Sequence, residues 1–339
     1  MAIKKILIYA EVFDGVLLPG YRELLSKAKE IFQGRGAVFA AAYAGPRNAV
    51  IAEELRQSGI HELYVMNSPL LDLYHPEYHL TALEMIVREA DPDVLLITAT
   101  RAGEEMSAAL GVRLKTGVTA HCADLVLSGD GELTQMVPAF GGKVVGEIFT
   151  PTTRPRIASV KSGTFMAADL DAEECRETEV SAAPLDALNP SVEIVGFEKR
   201  ATKKMPITAA DVVICGGYGV ATRENFRILE EVAEQLSGAI GGTRPALDAG
   251  WIEDESGMIG TSGRTVRPKV YIGFGVSGAA HHVCGIKDAG TIISVNQDPD
   301  AEIFEVSDYK AIGDARAVAQ ALRAHLARSG DETAPRINP

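Results

Sequence analysis

The chain has 339 residues, 46% of them hydrophobic, and a formal net charge of −13. That length and apolar content suit two domains, each with a sizeable core. The acidic balance speaks against nucleic acid or an anionic membrane surface as a partner, because both select a basic face.

Taken in chain order, KKILIYAEV reads as a first strand rather than a secretory leader, since no small-residue cleavage site follows at the right distance. YRELLSKAKEIF, from Tyr21 to Phe32, carries Leu24, Leu25, Ala28, Ile31 and Phe32 at helical spacing. GAVFAAAYAG is a second strand, Asn48 to Ser58 a helix and HELYVMN a third strand. Tyr78 to Ala90 is a helix ended by DPD, VLLITAT has the continuous apolar character of a strand buried on both faces, and Gly103 to Leu114 is a helix. This alternation predicts a mostly parallel sheet with helices on both sides.

From Asp124 to Phe165 the pattern changes to short β segments, LVLSGDGELT, KVVGEIF and RIASVKSGTF, with SGDG as a hairpin signal. AADLDAEECRETEV reads as a solvated acidic stretch. SVEIVGFEKRA reads as a strand in an inter-domain connection that also carries the basic patch KRATKK. A second α/β unit follows. ADVVICGG is a strand, Arg223 to Ser237 a helix with Phe226, Leu229, Val232, Ala233 and Leu236 on one face, and AIGGTRP, VYIGFGVSG and TIISVNQDPD are strands. Ala315 to Arg328 is the closing helix, and the tail SGDETAPRINP is polar and expected to be disordered. No apolar run approaches membrane-spanning length. Cys122, Cys175, Cys215 and Cys284 are far apart with no CxxC pair, which points to the reduced thiols of a cytoplasmic protein. No HExxH is present, and the adjacent His281 and His282 do not readily share one ion, so no metal site is expected.

Glycine turns follow three strands of the second half: CGGYG at 215–219, GGTR at 241–244 and GFGVSG at 273–278. A further glycine-rich segment, GMIGTSGRT, spans 257–265. Any one of these serves a tight turn. Together, at the carboxyl ends of parallel strands, they offer backbone N–H groups to a phosphate-bearing ligand. GFGVSG also matches the dinucleotide fingerprint G-x-G-x-x-G. Asn296 stands a little over twenty residues beyond it, where a side chain reads a ribose or adenine edge, with Asp298 and Asp300 as nearby alternatives. Arg244, whose backbone Pro245 biases towards extended conformations, is suited to an anionic group, and a surface ion pair is its ordinary alternative. His282 is a possible donor to an anionic ring or, with Val283 beside it, part of a buried helix start.

Three blocks together, GGTRPALDAGW, GTSGRTVRPKVYI and GVSGAAHHVCGIKDAGTIISVNQDPDAEIFEVSDYKAIGD, resemble the α subunits of electron transfer flavoproteins in order and spacing. PDVLLITATRAGEEMSAALGVRLKTGVTAHC, PAFGG and TTRPRIASVKSGTF are similar to the family's first domain, so the resemblance covers almost the whole chain. It implies two parallel-sheet α/β domains. Residues 1–200 would form an adenine-nucleotide-hydrolase-like domain that packs on a β subunit. Residues 201–328 would form a Rossmann-like FAD-binding domain, with a disordered tail at 329–339. The implied function is FAD-mediated one- or two-electron transfer between acyl-CoA-dehydrogenase-type partners and an acceptor. A bifurcating system, in which the β subunit meets NADH, falls within that family.

Carried over by position, the cofactor ligands fall on Thr243 and Arg244; on Ile259, Gly260, Thr261 and Ser262; on Ser277, Gly278, Ala279, Ala280, His281 and His282; and on Asn296 and Asp314. By resemblance, Arg244 lies over the isoalloxazine and favours its reduced anionic form, Ser262 bonds N5, and His282 lies near the pyrimidine carbonyl O2. Asn296 and Asp314 hold the adenosine end. A fixed cation and donors suit a reduced flavin in a drier site, where the protein tunes a cofactor that does the redox chemistry. Three positions depart from the family pattern: Tyr218 stands where arginine is common, so a charged contact that the resemblance implies on the flavin's phosphate side gives way to a side chain that can stack or hydrogen-bond; Thr261 replaces a glutamine; and His281 replaces the glutamine before the histidine. The competing readings are an NAD-dependent dehydrogenase using GFGVSG and a nucleotide-binding regulatory module. The first strand lacks the fingerprint and no acid–base constellation is evident, which tells against the dehydrogenase.

Overall fold

The computed structural model describes residues 3–128, 131–139, 144–198, 205–253 and 255–329. They fall into two compact units, one within residues 3–198 and one within 205–329.

In the first unit, β1 (Lys5–Tyr9) leads through the hairpin β2 (Val12–Phe13) and β3 (Val16–Leu17) into α1 (Gly20–Phe32). Then follow β4 (Val38–Gly45), α2 (Ala49–Arg56), β5 (Glu62–Asn67), α3 (Pro76–Ala90), β6 (Val94–Thr98) and α4 (Arg101–Leu114). β7 (Val118–Cys122) precedes an antiparallel annex, β8 (Asp124–Leu127), β9 (Leu133–Ala139) and β10 (Val144–Ile148). β11 (Arg156–Val160), β12 (Arg176–Glu179) and the short α5 (Ala183–Asp186) complete the unit.

The seven parallel strands run in the order β12-β5-β4-β1-β6-β11-β7. Successive residues of β1 enter opposite cores. Ile6 and Ile8 pack with Leu24, Leu25 and Phe32 on one face; Leu7 and Tyr9 pack with Leu83, Ile86 and Leu110 on the other. A strand covered on both faces has no polar side to show, so its sequence is continuously apolar. Helix starts are set by side chains that accept the free amides of the first turn. Asn48 Oδ1 takes Val50 and Ile51 N–H at 3.0 and 3.2 Å, and Thr100 Oγ1 takes Gly103 N–H at 2.9 Å.

Two expectations for this unit are corrected. The acidic stretch read as solvated contains β12, which pairs with β5 in register from Arg176↔Glu62 to Glu179↔Val65. SVEIVGFE is not a strand in its described part, residues 191–198, although its residues alternate. Val195 there is 95% exposed, and the segment lies on the surface through side-chain contacts such as Phe197 edge-on against Phe13, not through strand pairing. The basic patch KRATKK and the tail from 330 onwards lie outside the described residues, as do the last three residues of PAFGG. β8 pairs antiparallel with β9 from Asp124↔Met136 to Leu127↔Leu133, and the central Gly129 and Asp130 of the hairpin signal SGDG between them lie outside the described residues.

The second unit consists of β13 (Val212–Gly216), α6 (Arg223–Gln235), β14 (Ala239–Gly242), α7 (Arg244–Asp248), β15 (Val270–Phe274), α8 (Ala280–Val283), β16 (Thr291–Asn296), β17 (Tyr309–Ile312) and α9 (Ala315–Ser329). Its five strands are parallel in the order β14-β13-β15-β16-β17. This is the 2-1-3-4-5 order of doubly wound sheets, in which the chain leaves the first strand for one side and then returns to the other. Val213, Cys215 and Tyr271 face one core. Ile214, Phe226, Phe274 and Trp251 face the other. β17 was not visible in the sequence: as an edge strand it keeps Tyr309, Lys310 and Ile312 exposed.

Candidate functional site

The switch point of the second sheet lies between β13 and β15, and there the chain bends away on two glycine turns. Those turns touch backbone to backbone. Gly217 N–H donates to Phe274 O at 2.8 Å and Gly219 N–H to Gly275 O at 3.0 Å. A Cβ on Gly217 would stand 2.2 Å from Gly275 O, so no larger residue fits. Gly275 has φ +62°, a left-handed conformation that glycine adopts freely. Gly273, the first glycine of the apparent fingerprint, lies inside β15 instead of in the turn. The fingerprint spacing is therefore coincidental, although the loop itself does border a cleft.

That cleft encloses about 530 Å³, within the roughly 300–1,000 Å³ usual for small-molecule sites. Its wall includes Thr243, Arg244, Ile259, Gly260, Thr261, Ser262, Ser277, Ala279, His281, His282 and Asn296 from the residues carried over by position. Gly217, Tyr218, Gly219, Met258, Gly275, Val276, Asp298, Asp300 and Glu302 also line it. The glycines and Asp298 and Asp300 had a sequence signal, as turn residues and as neighbours of Asn296. Met258 and Val276 fall inside the glycine-rich segments without a signal of their own, and Glu302 lies beyond those segments.

The side chains differ in how much of their bonding capacity is committed. Thr243 sits before α7 and is 8% exposed, yet its hydroxyl caps nothing in that helix. Proline 245, in the first turn, has no N–H to give it. Thr243 Oγ1 is consequently a buried polar atom at the cleft with no hydrogen-bond partner among the described residues. Buried hydroxyls are almost always partnered, and one that lines a cavity marks where a ligand's polar atom belongs. Arg244 opens α7 despite Pro245, so its backbone is helical and not extended. It is 61% exposed and paired with Asp248 at 2.8 Å, an interaction that holds it firmly charged.

His282 is 6% exposed. Its Nδ1 lies 3.1 Å from Ile259 O and its Nε2 2.8 Å from Tyr271 Oη. A carbonyl only accepts, so Nδ1 carries the hydrogen and Nε2 accepts from the tyrosine. Burial pushes the ring's pKa down to about 4, which keeps it neutral. The ring reaches the cleft wall with both nitrogens engaged by these two partners.

Asn296 is likewise partly committed: its Nδ2 donates to Val276 O at 2.8 Å and its Oδ1 accepts Asp298 N–H at 3.0 Å. It braces the turn after β15 from the neighbouring strand. Three carried-over positions do not line the cleft. Gly278 has φ +96° and packs so closely that a Cβ would stand 1.9 Å from Ile303 N. Ala280 begins α8. Asp314 lies outside the wall, accepting Ala317 N–H at 2.8 Å at the start of α9 and Gln297 Nε2 at 2.6 Å. The loop from Ile259 to Ser262 is tied to α8, with Thr261 N–H donating to His281 O at 2.7 Å.

A parallel doubly wound unit with a glycine-walled cleft at its switch point has the architecture of the nucleotide-binding α/β proteins. Residues 206–287 match the electron transfer flavoprotein FAD-binding domain, and residues 6–188 match the electron transfer flavoprotein domain. The chain is 33% identical over 311 residues to electron transfer flavoprotein subunit alpha of Thermoanaerobacterium thermosaccharolyticum, covering 92% of this chain and 94% of that one. It is 34% identical over 314 residues to the same subunit of Megasphaera elsdenii, covering 92% and 93%. It is 30% identical over 309 residues to the lactate dehydrogenase (NAD(+),ferredoxin) subunit LctC of Acetobacterium woodii, covering 91% and 73%. The chain belongs to the electron transfer flavoprotein α-subunit family, and its second unit is the family's FAD-binding domain. Among the described residues no helix is long and apolar enough to cross a membrane.

Proposed function

We propose that the chain is the FAD-bearing α subunit of a two-subunit electron carrier. In this reading residues 201–328 hold the cofactor and residues 1–200 pack on a β subunit. When bound, FAD supplies the ability to take up and release electrons singly or in pairs. The observation that carries the reading is Thr243 Oγ1, buried and unpartnered in a cleft at the switch point of a matched FAD-binding domain.

The chain's own residues then bind and orient. Thr243 offers its hydroxyl. Arg244 holds a fixed positive charge over the isoalloxazine and favours the reduced, anionic ring. Ser262, exposed on the cleft wall, donates to N5. Ser277, on the turn after β15, would offer its hydroxyl to the phosphates. Asn296 supports the adenosine end through the turn it braces. His282 contributes a neutral wall. Thr261 and His281, where the resemblance leads one to expect glutamines, give the cleft wall a hydroxyl and an imidazole instead.

The donor and acceptor are of the acyl-CoA dehydrogenase type, in the cytoplasm, and the β subunit is the place where NADH would be met. The similarity to LctC supports a bifurcating arrangement as a second reading, since that relative's name couples NAD(+) and ferredoxin. The test is co-expression of the full chain with its β-type neighbour and an absorption spectrum of the purified complex. Flavin bands that bleach when an acyl-CoA dehydrogenase and its substrate are added support the reading. A colourless complex that binds NADH in this cleft overturns it in favour of a dehydrogenase or a regulatory nucleotide module.

A further inference from the structure

Tyr218 breaks the polar lining of the cleft. It is 67% exposed and stands in the middle of the CGGYG turn that closes β13. Its ring stacks on Trp251, with centroids 5.7 Å apart and planes 9° from parallel. Trp251 is 7% exposed and is the chain's only tryptophan. Behind it Phe226, fully buried, packs at 6.2 Å, and the Arg223 guanidinium lies 5.7 Å from the Phe226 ring centre. The tyrosine ring is therefore backed by a ladder of rings rooted in the core, while the residue stays largely exposed at the cleft. Its backbone is fixed too, because Gly217 and Gly219 on either side are locked against Gly275.

The sheet order decides which end of the cleft this is. Across the carboxyl edge the strands end in Thr243 and Arg244 (β14), Tyr218 (β13), Ser277 (β15) and Asn296 (β16). Asp298, Asp300 and Glu302 crowd the β16 end, where carboxylates suit ribose hydroxyls and repel an electron-rich ring. The β14 end has the cation. A flat, electron-accepting ring system thus belongs between Arg244 and Tyr218, and of the two ring systems in FAD that is the isoalloxazine.

We propose that Tyr218, backed by Trp251, is a stacking platform for the isoalloxazine. The proposal rests on the FAD reading above. Aromatic stacking on a heterocycle contributes about 1–3 kcal/mol by alanine substitution, which is about 5- to 150-fold in affinity. A tyrosine in contact also quenches flavin emission by electron transfer to the excited ring.

The test uses the full chain in complex with its β-type partner, comparing wild type with Tyr218→Ala, Tyr218→Phe and Tyr218→Arg. FAD affinity is measured by titration of the stripped complex, and flavin emission on the loaded one. The platform predicts that Tyr218→Ala weakens FAD by about tenfold and raises flavin emission, that Tyr218→Phe matches wild type in both, and that Tyr218→Arg raises emission. Unchanged affinity and emission in Tyr218→Ala overturn the platform while leaving the FAD reading intact. Weakened affinity with unchanged emission places the adenine there and overturns the assignment to the isoalloxazine. A wild-type complex that takes up no FAD overturns the reading on which the proposal rests.

Discussion

Tyr271 donates its hydroxyl hydrogen to Nε2 of His282 across 2.8 Å, and this bond fixes the tautomer of the histidine at the cleft. The donor is secure, because burial raises the Tyr271 pKa well above its ordinary value. Cys215 adjoins both side chains, with its thiol pKa pushed up to about 12 by burial, so all three groups stay neutral. Tyr271→Phe leaves a buried Nε2 without its donor. A loss of about 1–3 kcal/mol follows from that unsatisfied acceptor. Urea unfolding resolved by unit checks this: the second unit should weaken and the first should not, whereas an unshifted second transition means the bond carries no net stability.

Two buried histidines make the chain sensitive to mild acid. Burial lowers both His282, in the second unit, and His79, in the first, from 6.5 to about 4. Below the unfolded value the unfolded chain binds a proton that the folded chain refuses. Stability present above pH 6.5 is therefore lost progressively down to about pH 4, by as much as about 3 kcal/mol for each histidine. Unfolding free energies at pH 7 and 4.5 test the slope, with His79→Gln and His282→Gln each expected to flatten it in one unit only.

Thr243→Val should act with opposite signs on the empty and the loaded protein. Removing a buried hydroxyl that has no partner relieves its desolvation, stabilising the cofactor-free chain by about 1 kcal/mol. The same change deletes a hydrogen bond to the cofactor, weakening its retention by about tenfold. Thermal unfolding without FAD and titration with it give the two numbers. Destabilisation of the cofactor-free chain would show that Oγ1 has an internal partner.

Arg244→Ala should leave the fold alone, because the residue is 61% exposed and its recorded ion pair is to Asp248 four residues on. Solvent screens an exposed pair of that kind, so losing it costs the fold little. Its effect belongs to the cofactor: without the cation the reduced ring is less favoured, and the potential falls. A two-electron shift on the order of −30 mV corresponds to about 1.4 kcal/mol. A dye-equilibrated reductive titration of the loaded complex reads it directly, and an unchanged potential counts against a position over the ring.

The primary sequence by itself determined the two-unit α/β plan. Strands such as VLLIT and VVICG are covered on both faces, so their burial is written as unbroken apolar runs. The helices between them show their period. The three C-terminal blocks likewise carried the family and its FAD, because backbone turns at strand ends impose glycines locally. The edge strands RETE and YKAI were invisible, because they pair along one side only and solvent permits any polar residue there, whereas AIGG, also at an edge, showed as an apolar run.

Only the tertiary structure decided which residues of those blocks face the cleft and with what atoms left over. Asp314 is spent on the start of α9, and Gly278 makes room for Ile303. His282 bonds to Tyr271 and Ile259, 11 and 23 residues away. Thr243 alone keeps a buried polar atom free of partners at the cleft, among the described residues. A hydrogen bond is satisfied by whatever the fold brings within about 3 Å, and for these side chains the fold recruits partners that no local pattern announces.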